Sequence, residues 1–192
     1  MADSDAMERS HREEPHAINA RDVHFDFSTV PMHYIPGEAV ATHVVNVMHL
    51  VLPEGERAMA QALSEALPYI DDQRLREEVQ GFVGQETMHA GSHEGARDHL
   101  QSIGLDVDSM IKTFAWFVDR ILGDHGLTGR AKEEWLKERL GLFAGMEHYT
   151  AVIGAWILEN DKFEAMGMDP TMLDLLRWHG AEEVEHRAVA YD

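Results

Sequence analysis

From residue 38 onward, apolar residues recur at steps of three and four, and the pattern breaks where Pro or Gly stands. Such steps put apolar side chains on one face of a helix, and no alternating stretch competes for a strand. A first helix is expected over about 38–52, and Pro53 fits the first turn of a second, which carries Glu56, Met59, Leu63 and Leu67 before Pro68. Asp71 or Asp72 can cap a third helix running to about residue 103, where Gly104 stops it. A fourth is expected over about 108–122, then a loop over 123–129 and a fifth helix over about 130–159. The sixth starts after Asp169-Pro170 and continues to the end. Long helices joined by short turns predict an all-α antiparallel bundle.

Residues 1–22 are polar, show no periodic apolar face and are read as a flexible arm. Around Pro31 and Pro36, the aromatic and apolar residues Phe25, Phe27, Val30, Met32, Tyr34 and Ile35 suit an extended segment packed on a core. Residues 23–192 are expected to form a single domain, because a chain of 192 residues buries a substantial core without division.

Composition narrows the chemistry. Hydrophobic residues at 44% and charged residues at 27% are ordinary for a globular protein, so the chain should fold. A net charge of -19 repels nucleic acid and anionic membranes, and neither is an expected partner. Much of that charge is accounted for by a solubilising surface, although bound cations would neutralise part of it. With no cysteine, thiolate-held zinc and iron–sulfur clusters are excluded, and any protein-held metal must rely on Asp, Glu and His. The N-terminal stretch lacks an apolar signal core, and the longest apolar stretch, 44–52, is interrupted by Asn46 and His49. No membrane span is therefore expected, and the cytoplasm is the expected location.

The candidate chemistry interrupts apolar helix faces. In the third helix Glu86 and His89 stand three residues apart, with His93 four further on, among Val79, Phe82, Val83, Ala90 and Leu100. In the last helix Glu183 and His186 repeat the Glu-x-x-His device, His179 precedes Glu183 by four, and Glu182 is a less certain neighbour. Either device alone is commonly a solvated helix face; two on separate long helices are not. Glu56 heads an apolar stripe, with Glu54 as its alternative, and Glu147 lies mid-helix among Phe143, Ala144 and Ala151. A Glu from each of two helices and a Glu-x-x-His from each of two others is the donor set of carboxylate di-metal bundles. Four carboxylates with imidazoles suit iron or manganese at high coordination better than one four-coordinate zinc. His43, His49, His99, His125 and His148 lack this convergence and are read as surface or hydrogen-bonding residues.

Gly55-Glu56-Arg57, Gln85-Glu86-Thr87-Met88-His89 and the final run of Trp178, His179, Glu182, Glu183, Val184, Glu185 and His186 resemble the bacterial family of predicted metal-dependent hydrolases. The resemblance covers roughly 31–192, and the last motif with Ala188, Val189, Ala190, Tyr191 and Asp192 is its most specific part. It implies a ferritin-like helical bundle with a central dinuclear metal site. Members continue with further helices, so the stop at Asp192 implies a short member or a partial chain lacking C-terminal helices. The layout is also similar to that of di-iron arylamine N-oxygenases, whose last ligand helix supplies His-x-x-x-Glu-x-x-His. Carried over by motif, Glu56, Glu86, His89, Glu147, His179, Glu183 and His186 are the implied metal ligands. His93 has no counterpart there; an extra ligand, an outer partner and a proton donor are its alternatives, and Glu182 is a further candidate.

The expected function is a non-haem di-iron, O2-activating oxidoreductase, an oxygenase or oxidase, acting on a small organic substrate with an unidentified electron donor. Two iron ions are the expected cofactor, with manganese or a mixed iron–manganese pair as alternatives, and O2 is the expected co-substrate. Trp116, Phe117, Phe143, Trp156 and Trp178 are either pocket walls or core packing. A binuclear metal-dependent hydrolase is the second reading, and a non-enzymatic iron-handling bundle the third. The bland alternative is a metal-free bundle whose inward acids pair with Arg57, Arg97, Arg139 and Arg187. A homodimer is one expected form, since di-iron bundles often pair through a helix face.

Overall fold

A computed structural model describes residues 18–186. Among them the chain forms α-helices only: α1 (Ala39–Ala66), α2 (Gln73–Ser102), α3 (Asp108–Leu122), α4 (Gly129–Glu159), a short α5 (Lys162–Ala165) and α6 (Pro170–His186), with one 3-10 turn at Leu67–Tyr69. No helix is long and apolar enough to cross a membrane.

One boundary differs from the expectation. The helices expected on either side of Pro53 are a single helix, α1, with Pro53 inside it. Proline removes a helical N–H and costs about 3 kcal/mol in a helix interior. Burial outweighs that cost here, because Val45, Asn46, His49, Pro53, Glu56, Met59 and Leu63 form one continuous buried stripe. Elsewhere the start and stop signals act as expected. The Asp72 carboxylate accepts the Leu75 N–H at 2.9 Å to cap α2. Gly104 follows the end of α2 at a φ of 118°, a conformation that favours glycine. The short α5 has no counterpart among the helices expected from periodicity.

Four long helices run between two apolar clusters. One holds Val45 of α1, Ala96 and Leu100 of α2, Ile157 of α4, and Met172, Leu173, Leu175 and Leu176 of α6, together with Val30, Tyr34 and Ile35 from the extended segment. The other holds Met59 and Leu63 of α1, Val79 and Phe82 of α2, and Leu136 and Phe143 of α4. Their order along the chain makes α1 antiparallel to α2 and α4 antiparallel to α6. Helix α3 carries the chain back along α1 from one cluster to the other, so α2 and α4 run in the same direction. The indole N–H of Trp135 donates to the Gly123 carbonyl at 2.7 Å and ties the end of α3 to the start of α4.

Of the arm expected at 1–22, residues 1–17 lie outside the described residues. Ile18 is buried, and Arg21 reaches α6 to pair with Glu182 at 2.5 Å and Glu185 at 2.6 Å. This segment lies against α2, where a Cβ on Gly81 would stand 1.9 Å from the Ile18 carbonyl oxygen. Glycine is required there for the two backbones to touch.

Helices α4 and α6 also meet backbone to backbone, since a Cβ on Gly154 would fall 2.5 Å from the Gly180 carbonyl oxygen. Gly154→Ala is therefore expected to destabilise the protein by about 1–3 kcal/mol through overpacking. Gly141→Ala, at an exposed α4 position with open space around it, should stabilise by about 0.5–1 kcal/mol. Urea denaturation of the two variants checks both signs.

Candidate metal centre

Each long helix crosses the gap between the apolar clusters with polar side chains pointing inward. Glu56 comes from α1, Glu86 and His89 from α2, Glu147 from α4, and His179, Glu183 and His186 from α6, and all seven are buried. Their donor atoms fall into three overlapping groups: Glu56, His89 and His179; Glu86, His89 and Glu183; Glu147, Glu183 and His186. Within each group the atoms lie within 4.8 Å of one another, so each could hold a metal ion. His89 and Glu183 belong to two groups each, which links the three into one centre.

The three inward histidines share a second property: each has one nitrogen toward the carboxylates and the other on an outer partner. His89 Nδ1 lies 3.2 Å from Glu86 Oε1, while its Nε2 is 2.9 Å from Glu182 Oε2. His186 Nδ1 is in ion-pair range of Glu86 at 3.0 Å and Glu147 at 3.4 Å, and its Nε2–H donates to Gln85 Oε1 at 2.7 Å. His179 Nε2 lies 2.9 Å from Glu183 Oε1, and its Nδ1 is 2.6 Å from His93 Nε2. Outer partners of this kind fix ring orientation and tautomer at metal sites.

The residues expected at the site thus separate by geometry rather than staying one set. Glu182 takes no part in the three groups; its other contacts are Arg21 and, at 3.1 Å, the Trp178 indole N–H. His93 also stays outside them, held between His179 and His49. Glu54 faces Arg57 instead of the centre. Gln85, His49 and Arg21 carried no expectation as part of the site. The alternative of a metal-free bundle whose inward acids pair with Arg57, Arg97 or Arg139 does not match the geometry: Arg57 and Arg97 pair with Glu94, and Arg139 with Glu65, while Arg21 pairs with Glu182 and not with the four carboxylates of the groups. Arg187 lies outside the described residues.

The family described as predicted metal-dependent hydrolase matches residues 19–192. The chain belongs to that family. No individually curated protein and no solved structure gives a significant match. For this member of the metal-dependent hydrolase family, the donor set itself has to carry the chemical assignment.

The residues fit a cation. Both oxygens of Glu56, Oε2 of Glu86, Glu147 and Glu183, and Nδ1 of His186 are buried without an aligned hydrogen-bond partner among the described residues. Unpaired buried charge costs several kcal/mol per ion, so the cluster needs compensation. In the metal-free chain, protons supply it. Burial, reinforced by Glu86, raises the Glu56 carboxyl well above its usual range, and burial pushes Glu147 up to about 8. Burial opposes charge on His89 and His186, yet the carboxylates around them prevail, raising His89 and holding His186 at about 9. Burial also works against ionised Glu86, but His186 and His89 outweigh it and keep that carboxyl at about 2.

A cavity of about 180 Å³ lies beside the centre between α1, α4 and α6. Met48, Val51, Leu52, Ile153, Ile157 and Leu176 line it, and His179 and Glu183 bound it. The aromatic walls considered from sequence are elsewhere: Trp116, Phe117 and Trp156 are exposed, and Phe143 belongs to an apolar cluster. Trp178 alone of the five meets a histidine of the centre, its ring 4.9 Å from that of His89.

Proton compensation has a measurable consequence. Glu147 at about 8 and His186 at about 9 both lie above their ordinary values of 4.5 and 6.5, so the folded chain binds more protons than the unfolded one. Stability from these groups is complete at low pH and is lost as pH rises through the raised values. The melting temperature of the metal-free protein is expected to fall between about pH 6.5 and 9. Saturation with a divalent cation, which replaces those protons, should remove most of that fall; a stability that rises over the same window contradicts the proton assignment.

Proposed function

We propose that the chain is a dinuclear metalloenzyme of the di-iron type, an O2-activating oxidoreductase acting on a small apolar substrate. The observation that carries this reading is a buried donor set of four carboxylates and three imidazoles that no arginine or lysine among the described residues reaches, leaving oxygens of all four carboxylates without hydrogen-bond partners. Two divalent ions carry the four positive charges that Glu56, Glu86, Glu147 and Glu183 call for, whereas one ion leaves half unbalanced. The oxygen-rich, thiolate-free set suits iron or manganese. The crossover made by α3 is the connection found in ferritin-like bundles, the usual home of such centres.

Glu56, Glu86, His89, Glu147, His179, Glu183 and His186 would hold the ions, His89 and Glu183 each belonging to two of the donor groups. Iron held there would supply the electrons and open coordination positions needed to bind and reduce dioxygen. The protein's own part is positional. Glu182 accepts the His89 Nε2 proton and leaves Nδ1 for the centre; Arg21 and Trp178 keep Glu182 in place. Gln85 does the same for His186. The apolar cavity offers an uncharged substrate a seat beside His179 and Glu183.

A binuclear hydrolase is the second reading, favoured by the family's description. In that case the ions would polarise a carbonyl and lower the pKa of bound water. The apolar lining fits an uncharged, oxidisable group better than the polar ester or amide that a hydrolase would hold.

Metal analysis combined with an oxygen electrode tests the choice. About two irons per chain, with O2 uptake on adding reductant and an apolar substrate, is the expected result. Redox-inert metal with ester or amide turnover under nitrogen would establish the hydrolase instead. Glu147→Gln should lower metal content toward one ion per chain, Glu183→Ala should abolish tight binding of both, and Glu182→Ala should weaken affinity about 10–100-fold.

A further inference from the structure

His179, His93 and His49 form a string of buried imidazoles leading away from the centre. His179 Nδ1 is 2.6 Å from His93 Nε2, and His93 Nδ1 is 2.7 Å from His49 Nδ1. Neither His93 nor His49 has a carboxylate in ion-pair range among the described residues, and an unpaired imidazolium is costly to bury. Each of these two rings is therefore neutral, with one nitrogen protonated and one bare; His93 uses both, whereas His49 Nε2 is buried without a hydrogen-bond partner among the described residues. Two such hydrogen bonds in series must point the same way, so the state of His179 dictates the tautomer of both outer rings.

We propose that His93 and His49 are positioning residues that form a directional hydrogen-bond string, which reverses when His179 binds a metal ion. This rests on the metal-centre reading above. In the metal-free chain, His179 Nε2–H donates to Glu183 Oε1 at 2.9 Å, so Nδ1 accepts from His93 Nε2–H, and His93 Nδ1 accepts from His49 Nδ1–H. An ion on His179 Nε2 takes that lone pair, and the ring's proton must sit on Nδ1. His179 then donates to His93 Nε2, His93 Nδ1–H donates to His49 Nδ1, and His49 carries its proton on Nε2. The balance is one proton released at His179 Nε2, one taken up at His49 Nε2, and one moved across each hydrogen bond between. His93 thereby holds the His179 ring at the angle that aims Nε2 into the centre, as Glu182 and Gln85 do for the other two histidines.

Long-range 1H–15N correlation spectra of the full chain labelled at histidine, with diamagnetic zinc as the probe, test this directly. His93 is expected to change from the Nε2–H to the Nδ1–H tautomer on zinc loading, and His49 from Nδ1–H to Nε2–H. His93→Phe should weaken zinc binding about 10–100-fold, and His93→Gln, whose amide oxygen can accept from His179 Nδ1–H, should restore much of it. Zinc bound with His93 and His49 unchanged overturns the string while leaving the metal centre standing, as does unaltered zinc affinity in folded His93→Phe. No zinc uptake by the unaltered chain overturns the metal-centre reading and the string together. If His93→Phe does not fold, the tautomers of the unaltered chain and the affinity of His93→Gln decide.

Discussion

Burying four carboxylates in one place is the constraint on which the rest of this structure depends. The long helices bring Glu56, Glu86, Glu147 and Glu183 together in a layer between two apolar clusters, and no arginine or lysine among the described residues reaches them. Moving a carboxylate out of water costs several kcal/mol unless a counter-charge goes with it. The apolar clusters on either side can bear that cost in the metal-free chain only because protons neutralise Glu56 and Glu147 and charge His89 and His186. Cations would do so more completely, because they also satisfy the oxygens that lack hydrogen-bond partners.

Around this layer, the protein commits specific residues to orientation. Glu182, Gln85 and His93 each take the outward nitrogen of one inward histidine, and all three are fully buried. The segment before α1 joins this support through Arg21, and glycine at position 81 lets that segment lie close enough to act. The contact of Gly154 with Gly180 brings α4 against α6, which sets Glu147 beside His186. Fold and site are thus coupled through backbone approach as well as through side chains.

Much of this was legible in the sequence because helical spacing carries it. Glu86 with His89, and His179 with Glu183 and His186, share a face at steps of three and four, and that spacing survives folding. The long helices after Asp72 were legible for the same reason, through their caps and glycine stops. Pro53 was the point of failure. Ending a helix there breaks the register between His49 and Glu56, which are seven residues, about two turns, apart. With α1 continuous, both lie on one buried stripe, and of the two alternatives for His49, surface or hydrogen-bonding, the second holds: it is buried and bonds to His93 beside the centre. Gln85 and Arg21 were illegible for another reason: their roles depend on which helix lies opposite, and a single sequence does not encode that pairing in its periodicity. The apolar cavity likewise arises from the meeting of α1, α4 and α6, and bulky aromatic residues were a poor guide to it.

The decisive measurement is an anomalous-scattering map at the iron edge from crystals of the full chain loaded with ferrous iron under nitrogen. Two peaks are expected inside the buried layer, both within coordination distance of Glu183, with Glu147 and His186 on one side and Glu56 and His179 on the other. Density showing those carboxylates turned toward solvent, or neutralised by cationic side chains with no metal between them, would contradict the proposed dinuclear centre.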